Sequence, residues 1–320
     1  MNMKIGNTPL IKIKYEYNNK IDYIYSKLEY YNLTGSIKDR VAYYIIKEAY
    51  KNGELKEEME IVEATSGNTG IALSAMGILF GNPVRIFMPD WVSKERVNLM
   101  QMYNAKVVLF SKEEGGFKRA IKEAKDYAKK NNAFLSNQFE NVNNVLAHYE
   151  TTGKEIIEQL EENIGGFVSG IGTGGTLIGV AKKLKELNRK IKIYALEPDK
   201  MPLLSQNKIF NNHKIEGIGD DFIPKIVDKK LIDKVIVIND DDSINMSRKI
   251  AIDLGIGVGI SSGANMIASV LAKEENEGNI VTVFPDDNKK YLSTDLSKPI
   301  DNSKEFISNK IKILDYEFVE

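Results

Sequence analysis

The chain has 320 residues, 42% of them hydrophobic and 28% charged, and 45 acidic against 44 basic side chains leave a formal net charge of −1. That balance offers nothing to nucleic acid or an anionic membrane, and no apolar run has the length of a bilayer span or a signal-peptide core, so the expected location is cytoplasmic. The absence of cysteine excludes disulfides, thiolate catalysis and cysteine metal sites; two histidines, His148 and His213, preclude a His-rich metal site, make a serine–histidine triad a poor expectation, and are read as hydrogen-bonded structural residues.

Along the chain, short β-rich runs alternate with amphipathic helical ones. Residues 60–67 (EIVEATSG) read as a strand entering a glycine loop, and 68–81 as the helix that follows. Strands at 83–89 and 106–110 flank a helix at 93–105, and 115–132 read as a helix stopped by Asn131-Asn132. A strand at 133–139 and a helix at 148–163 come next. The second half repeats the scheme, with strands at 166–172, 190–198, 234–240 and 279–286 and helices at 176–188, 242–255 and 258–276. Strands alternating with helices predict βαβ units and parallel sheet, in two groups split near residue 143 without a Pro/Ser-rich linker. Two open three-layer α/β lobes with mostly parallel twisted sheets would bind ligand in the crevice between them, at the strands' carboxyl ends. After Pro299 the rhythm is lost, and the tail is expected to wrap the surface or a partner subunit.

Three stretches carry chemistry. GIGTGGT, Gly170 to Thr176, runs from a strand into a helix, where glycines let backbone N–H groups approach an anion and the helix N-terminus favours negative charge. Gly170, Gly172 and Gly175 also fit the spacing of a dinucleotide fingerprint, with Glu197 about 20 residues on, so NAD binding is a distant alternative. ATSGNTG, Ala64 to Gly70, sets hydroxyls and an amide at a helix start, which suits a carboxylate or serves only as a helix cap. The third is Lys38, which follows the Thr34-Gly35-Ser36 turn. By itself it reads as a solvated helix start. With a phosphate loop and a carboxylate loop in the same chain, it becomes the amine of a pyridoxal 5′-phosphate enzyme, which needs a Schiff-base lysine, a monophosphate clamp and a pocket for an amino acid.

These stretches, with IGNTPL (5–10), KLEYYNLTGSIKDR (27–40), AHYETTGKEI (147–156), EGIGDDFIP (216–224), GISSGAN (259–265) and YLSTDL (291–296), resemble the cysteine synthase and cystathionine β-synthase family, fold type II PLP enzymes of the tryptophan synthase β-like kind. The resemblance runs in order over nearly the whole chain. It implies a homodimer, with the cofactor in the cleft between the lobes. The expected division is a smaller lobe, 36–143, carrying Lys38 and the carboxylate loop, and a larger one, 1–35 and 144–320, carrying the phosphate loop and Ser261. The resemblance implies that Lys38 holds the cofactor and exchanges the substrate's α-proton, that Asn68 bonds the ring hydroxyl oxygen, and that Gly172, Thr173, Gly174, Gly175 and Thr176 bind the phosphate. Thr65, Ser66, Gly67, Thr69, Gln138 and Gly217 would hold substrate, and Ser261 would meet the pyridine nitrogen, unless it only caps its helix. A serine there cannot hold a ring proton strongly, so the ring is a weaker electron sink. Transamination and decarboxylation lose ground to loss of a β-leaving group, which gives an aminoacrylate that a second nucleophile attacks. The implied activity is β-replacement on O-acetylserine, cysteine or serine, with sulfide or another small nucleophile. Asn68-Thr69 departs from the Asn-His expected of the serine/threonine dehydratases.

Asp220 and Asp221 stand where many cysteine synthases carry small neutral residues. They are either solvated loop acids or a carboxylate facing the cleft, which would repel bisulfide and orient or deprotonate water or a second thiol. That arrangement would tilt the chemistry towards consuming cysteine with release of hydrogen sulfide, giving serine, cystathionine or lanthionine. The segment from Met88 to Arg96, with the lone Trp91, resembles a loop that closes over substrate.

Overall fold

A computed structural model describes residues 4–160, 163–299 and 305–319. The chain opens with an antiparallel hairpin, β1 (Leu10–Tyr17) and β2 (Lys20–Leu28), whose two-residue turn is Asn18-Asn19. Both asparagines have positive φ, 51° and 60°, the condition for a tight turn whose twist matches the strands. Helix α1 (Lys38–Lys51) follows, then β3 (Ile61–Ala64), α2 (Asn68–Phe80), β4 (Val84–Pro89), α3 (Lys94–Met102), β5 (Lys106–Phe110), α4 (Gly116–Asn131) and the two-residue β6 (Phe134–Leu135). These four strands form one all-parallel sheet in the order β5-β4-β3-β6. Side chains alternate across it. Ile86 and Met88 face the core under α1 and α2, while Phe87 faces Ala120, Ala124 and Ala128 of α4.

The chain continues through α5 (Val142–Ala147), a π-helical turn at His148–Thr152, α6 (Gly153–Gln159), β7 (Ile164–Gly170), α7 (Gly175–Leu187), β8 (Lys192–Pro198) and the short α8 (Leu203–Gln206). It ends with β9 (Lys234–Ile238), α9 (Asp240–Leu254), α10 (Ile260–Lys273), β10 (Asn279–Phe284), α11 (Ile307–Lys310) and β11 (Lys312–Phe318). The larger sheet has the order β11-β1-β2-β10-β7-β8-β9, parallel from β2 to β9 and antiparallel at the β11-β1-β2 edge. One face packs on Met246, Ile250 and Ile267 of α9 and α10, and the other on Leu177, Val180 and Leu184 of α7. Each sheet is thus sandwiched between helices, the three-layer α/β arrangement expected.

The structure adds one hairpin and corrects two expectations. β1 and β2 lie ahead of the elements read from the sequence, although KIKYEY alternates directly before Asn18-Asn19. The strand expected at 133–139 shrinks to two residues, because the chain turns off at Asn137, whose φ is 51°, to bring Gln138 under the carboxylate loop. The tail beyond Pro299 is also more regular than expected: β11 pairs with β1 and becomes the sheet's edge, while residues 300–304 lie outside the described residues.

A buried ionic network joins the start of α1 to the larger sheet. Arg40 Nε and Nη2 donate to Glu29 at 2.7 and 2.9 Å, and its Nη1 and Nη2 donate to Glu155 at 2.5 and 2.8 Å. Lys27 Nζ completes the quartet at 2.7 Å from Glu155 and also donates to the Thr8 carbonyl at 2.7 Å. Burial opposes ionisation of Glu155, but the Arg40 hydrogen bond and charge, with those of Lys27, outweigh it and hold the carboxyl at about 2. Because this folded value lies below the usual 4.5, the stabilisation is complete above pH 4.5 and is lost as pH falls towards 2. Removing one charge strands the others, so Glu155→Gln is expected to cost about 3–5 kcal/mol of stability at neutral pH, measured by urea unfolding.

Candidate active site

The cleft between the two sheets opens to solvent and is lined by residues from both. Lys38 reaches it because of how the preceding turn is fastened. Thr34 N and Oγ1 donate to Asp39 at 2.8 and 2.6 Å, and Ile37 N donates to the Pro285 carbonyl at the end of β10 at 2.9 Å. The first residue of α1 therefore opens into the cleft rather than to solvent. Burial pushes the Lys38 ammonium down to about 8, against the pull of Asp220 and Asp286.

The carboxylate loop leads from β3 into α2, whose first N–H groups lack helical partners. Thr65, Ser66, Asn68 and Thr69 line the cleft, with Gln138 behind them. Thr69 Oγ1 donates to Gln138 Oε1 at 2.6 Å, and Gln138 Nε2 donates to the Ala64 carbonyl at 2.9 Å. Beneath them, buried Glu63 accepts from Ser136 Oγ (2.6 Å), Ala64 N (2.8 Å) and Gln138 N (3.0 Å), while burial pushes its carboxyl up to about 7. Sequence reasoning missed Glu63, whose place inside a four-residue strand looked like ordinary alternation. Gly67 lies in the loop without lining the cleft, its N–H donating to Thr65 Oγ1 at 3.1 Å.

Across the cleft, Gly172, Thr173, Gly174 and Thr176 line the start of α7. Glycine is required at 172, where a Cβ would overlap the Gly217 carbonyl. Gly175 sits behind, against Asn144. Asn144 and His148 share one face of the α5 segment and brace the cradle: Asn144 Nδ2 donates to Thr173 Oγ1 at 2.9 Å, and His148 Nε2 lies 3.2 Å from Thr176 Oγ1. Burial, with Lys38 and Arg40 nearby, drives His148 well below its usual range, so it stays neutral. It is hydrogen-bonded, as expected, and so is His213, whose Nε2 lies 2.6 Å from the Gly219 carbonyl.

The donor set fits the expected cofactor. A small cradle at a helix N-terminus suits one phosphate, an enclosed amine stands across from it, and the Asn68 Oδ1 is buried without a partner among the described residues while its Nδ2 donates to Asp286 at 2.7 Å. NAD does not fit. Glu197, the acid a ribose would need, is buried and already accepts from Leu204 N at 2.8 Å, Ser205 N at 3.0 Å and the Ser205 hydroxyl. Ser261 lies inside the first turn of α10 and lines the cleft; the cap position belongs to Gly259.

The two adjacent acids part company. Asp220 lines the cleft, its carboxyl pushed up to about 7 by burial and by Asp221, with Lys38 pulling the other way. Asp221 turns to Lys118 of α4 at 2.8 Å and does not line the cleft. Gly217 lines it as expected; Arg96 and Glu216 do too, and sequence reasoning gave neither a role there.

A protein-family model described as pyridoxal-phosphate dependent enzyme matches residues 1–286. A cysteine synthase of Staphylococcus aureus is 41% identical over 295 residues, covering 91% of this chain and 94% of that protein. Among solved structures, a hydrogen sulfide-producing enzyme from Fusobacterium nucleatum aligns with TM-score 0.94 and 46% identity over 99% of this chain and 97% of that one. A cysteine synthase from Entamoeba histolytica aligns with TM-score 0.86 and 40% identity over 96% and 93%. With the lysine, the phosphate cradle and the carboxylate loop gathered in one cleft, the chain belongs to the family of pyridoxal-phosphate dependent enzymes, of the cysteine synthase kind.

Proposed function

We propose that the protein catalyses β-replacement on a small amino acid such as O-acetylserine, cysteine or serine, in sulfur amino-acid metabolism. The observation that carries this reading is Lys38, enclosed between a one-phosphate cradle and a carboxylate loop. Bound pyridoxal phosphate supplies a carbonyl that captures amines and a conjugated ring that accepts electrons. Lys38 would be the amine that holds that carbonyl, and its lowered pKa suits its free amine to take the substrate's α-proton and return it. Thr65, Ser66 and Thr69, where β3 passes into α2, and Gln138, hydrogen-bonded to Thr69, orient the substrate carboxylate, with Gly217 at the cleft wall and Gly67 in the loop behind. Gly172, Thr173, Gly174 and Thr176, with Gly175 behind them, would hold the phosphate, and Asn68 and Ser261 would hold the ring. A homodimer, a cytoplasmic location and a division between 36–143 and the rest of the chain belong to the same reading; no described helix is long and apolar enough to cross a membrane.

Asp220 favours a second reading, release of hydrogen sulfide from cysteine. A carboxylate facing the cleft disfavours an anionic nucleophile and, when ionised, can take a proton from water or a thiol. Asp221, paired with Lys118, supports Asp220 by raising its pKa.

Purified wild-type protein is expected to show the cofactor's visible band and to lose it in Lys38→Ala; protein that never takes up the cofactor defeats the proposal. Product analysis with O-acetylserine plus sulfide, with cysteine alone and with cysteine plus homocysteine then ranks the substrates. For the second reading, sulfide release is expected to rise with pH through about 7 as Asp220 ionises. Asp220→Asn is expected to remove that limb and slow release by roughly 100-fold. If neither Asp220→Asn nor Asp221→Asn changes sulfide release relative to cysteine formation, the second reading fails.

A further inference from the structure

Two helical segments meet closely behind the phosphate cradle. Gly175 and Gly179, one turn apart on α7, face α5 and the π-helical turn; a Cβ at the first would overlap Asn144 Oδ1, and at the second the Val145 carbonyl. That approach sets two buried polar side chains directly against the cradle. Asn144 spends both Nδ2 hydrogens, one on the Gln138 carbonyl at 2.9 Å and one on Thr173 Oγ1 at 2.9 Å. The amide can face only this way, since turning it over would set Oδ1 against that carbonyl. His148 sits between two hydroxyls, with Nδ1 2.9 Å from Thr152 Oγ1 and Nε2 3.2 Å from Thr176 Oγ1. The π-helical turn stacks Thr152 on the ring, and among the described residues His148 is the only hydrogen-bond partner of the Thr152 hydroxyl.

These partners fix which way each hydrogen points. The imidazole is neutral, because burial, with Lys38 and Arg40 facing it, outweighs the pull of Glu155. A neutral ring carries one N–H. The Thr152 hydroxyl gives its hydrogen to Nδ1, which leaves the ring hydrogen on Nε2, donating to Thr176 Oγ1. Thr173 Oγ1 likewise accepts, from Asn144 Nδ2 and, at 3.4 Å, from Gly175 N. We propose that Asn144 and His148 are positioning residues for the cofactor phosphate, holding Thr173 and Thr176 from behind so that both hydroxyl hydrogens point into the cleft. The inference rests on the phosphate assignment of the cradle and adds what orders it. A phosphate dianion only accepts hydrogen bonds, so hydroxyls turned towards it in advance bind it without reorganising. Without the brace, the Thr176 hydroxyl is free to turn back onto a carbonyl of the preceding turn.

Two measurements test it. The chain has only two histidines, so isotope-labelled histidine in the full chain, with His213→Gln to assign the signals, lets nitrogen NMR read the ring directly. A neutral Nε2–H ring is expected, unchanged between about pH 6 and 8; an Nδ1–H or doubly protonated ring overturns the inference. The second measurement compares dissociation constants of pyridoxal 5′-phosphate and of pyridoxal, which lacks the phosphate, for the full-length protein depleted of cofactor and followed by the visible band. In His148→Leu the preference for the phosphorylated compound is expected to fall about tenfold. His148→Gln, whose amide both accepts from Thr152 and donates to Thr176, is expected to keep most of it. An unchanged preference in His148→Leu overturns the inference even where both compounds bind more weakly, because a merely structural role would weaken both alike. A preference lost as fully in His148→Gln as in His148→Leu overturns it too. Wild-type protein that binds the two compounds equally defeats the phosphate assignment first, and the inference with it.

Discussion

The arrangement depends on burying four charges beside the reactive lysine. Arg40 stands two residues after Lys38, and its guanidinium is fully occupied by Glu29 and Glu155, with Lys27 closing the circuit. Such a quartet contributes little net stability compared with an apolar core, but it tolerates very few geometries. Glu29 follows β2, Arg40 lies in α1 and Glu155 in α6, so a single cluster holds the first turn of α1 against the larger sheet. That constraint, with the Ile37–Pro285 hydrogen bond, aims Lys38 into the cleft.

Around that lysine the two sheets contribute different chemistry. The smaller one presents α2, whose free N–H groups and hydroxyls suit a carboxylate; the larger one presents α7, whose glycines admit a phosphate. Both loops rest on buried polar groups that fix their rotamers, Glu63 and Gln138 under the first, Asn144 and His148 under the second. Preorganisation of this kind lets a site act without rearranging at the moment of reaction. Asp220 lines the same cleft, its carboxyl pushed up to about 7 by burial and by the neighbouring Asp221.

Periodicity made the central βαβ units legible, because each strand there is a short apolar run closed by a glycine or helix signal. The edge elements were not. β11 and the shortened β6 are defined by which neighbour they meet, and pairings such as Ile11 with Phe318 and Ile61 with Phe134, distant in sequence, leave no local pattern. The brace residues were missed for a related reason. Asn144 and His148 look like any polar positions on a helix until α7 is packed against them.

By itself the sequence determined the chemistry on offer: one lysine after a Thr-Gly-Ser turn, a glycine loop and a hydroxyl-rich loop each opening a helix, and no cysteine. These are local properties, since glycine content, hydroxyl spacing and helix starts act within a few residues. Only the tertiary structure decided which of two neighbouring acids faces the cleft, and that Glu197 is already spent on capping α8. It alone brought Arg96 and Glu216, 120 positions apart, into contact across the cleft. Orientation and long-range pairing come from packing two sheets together, and no stretch of sequence encodes them alone.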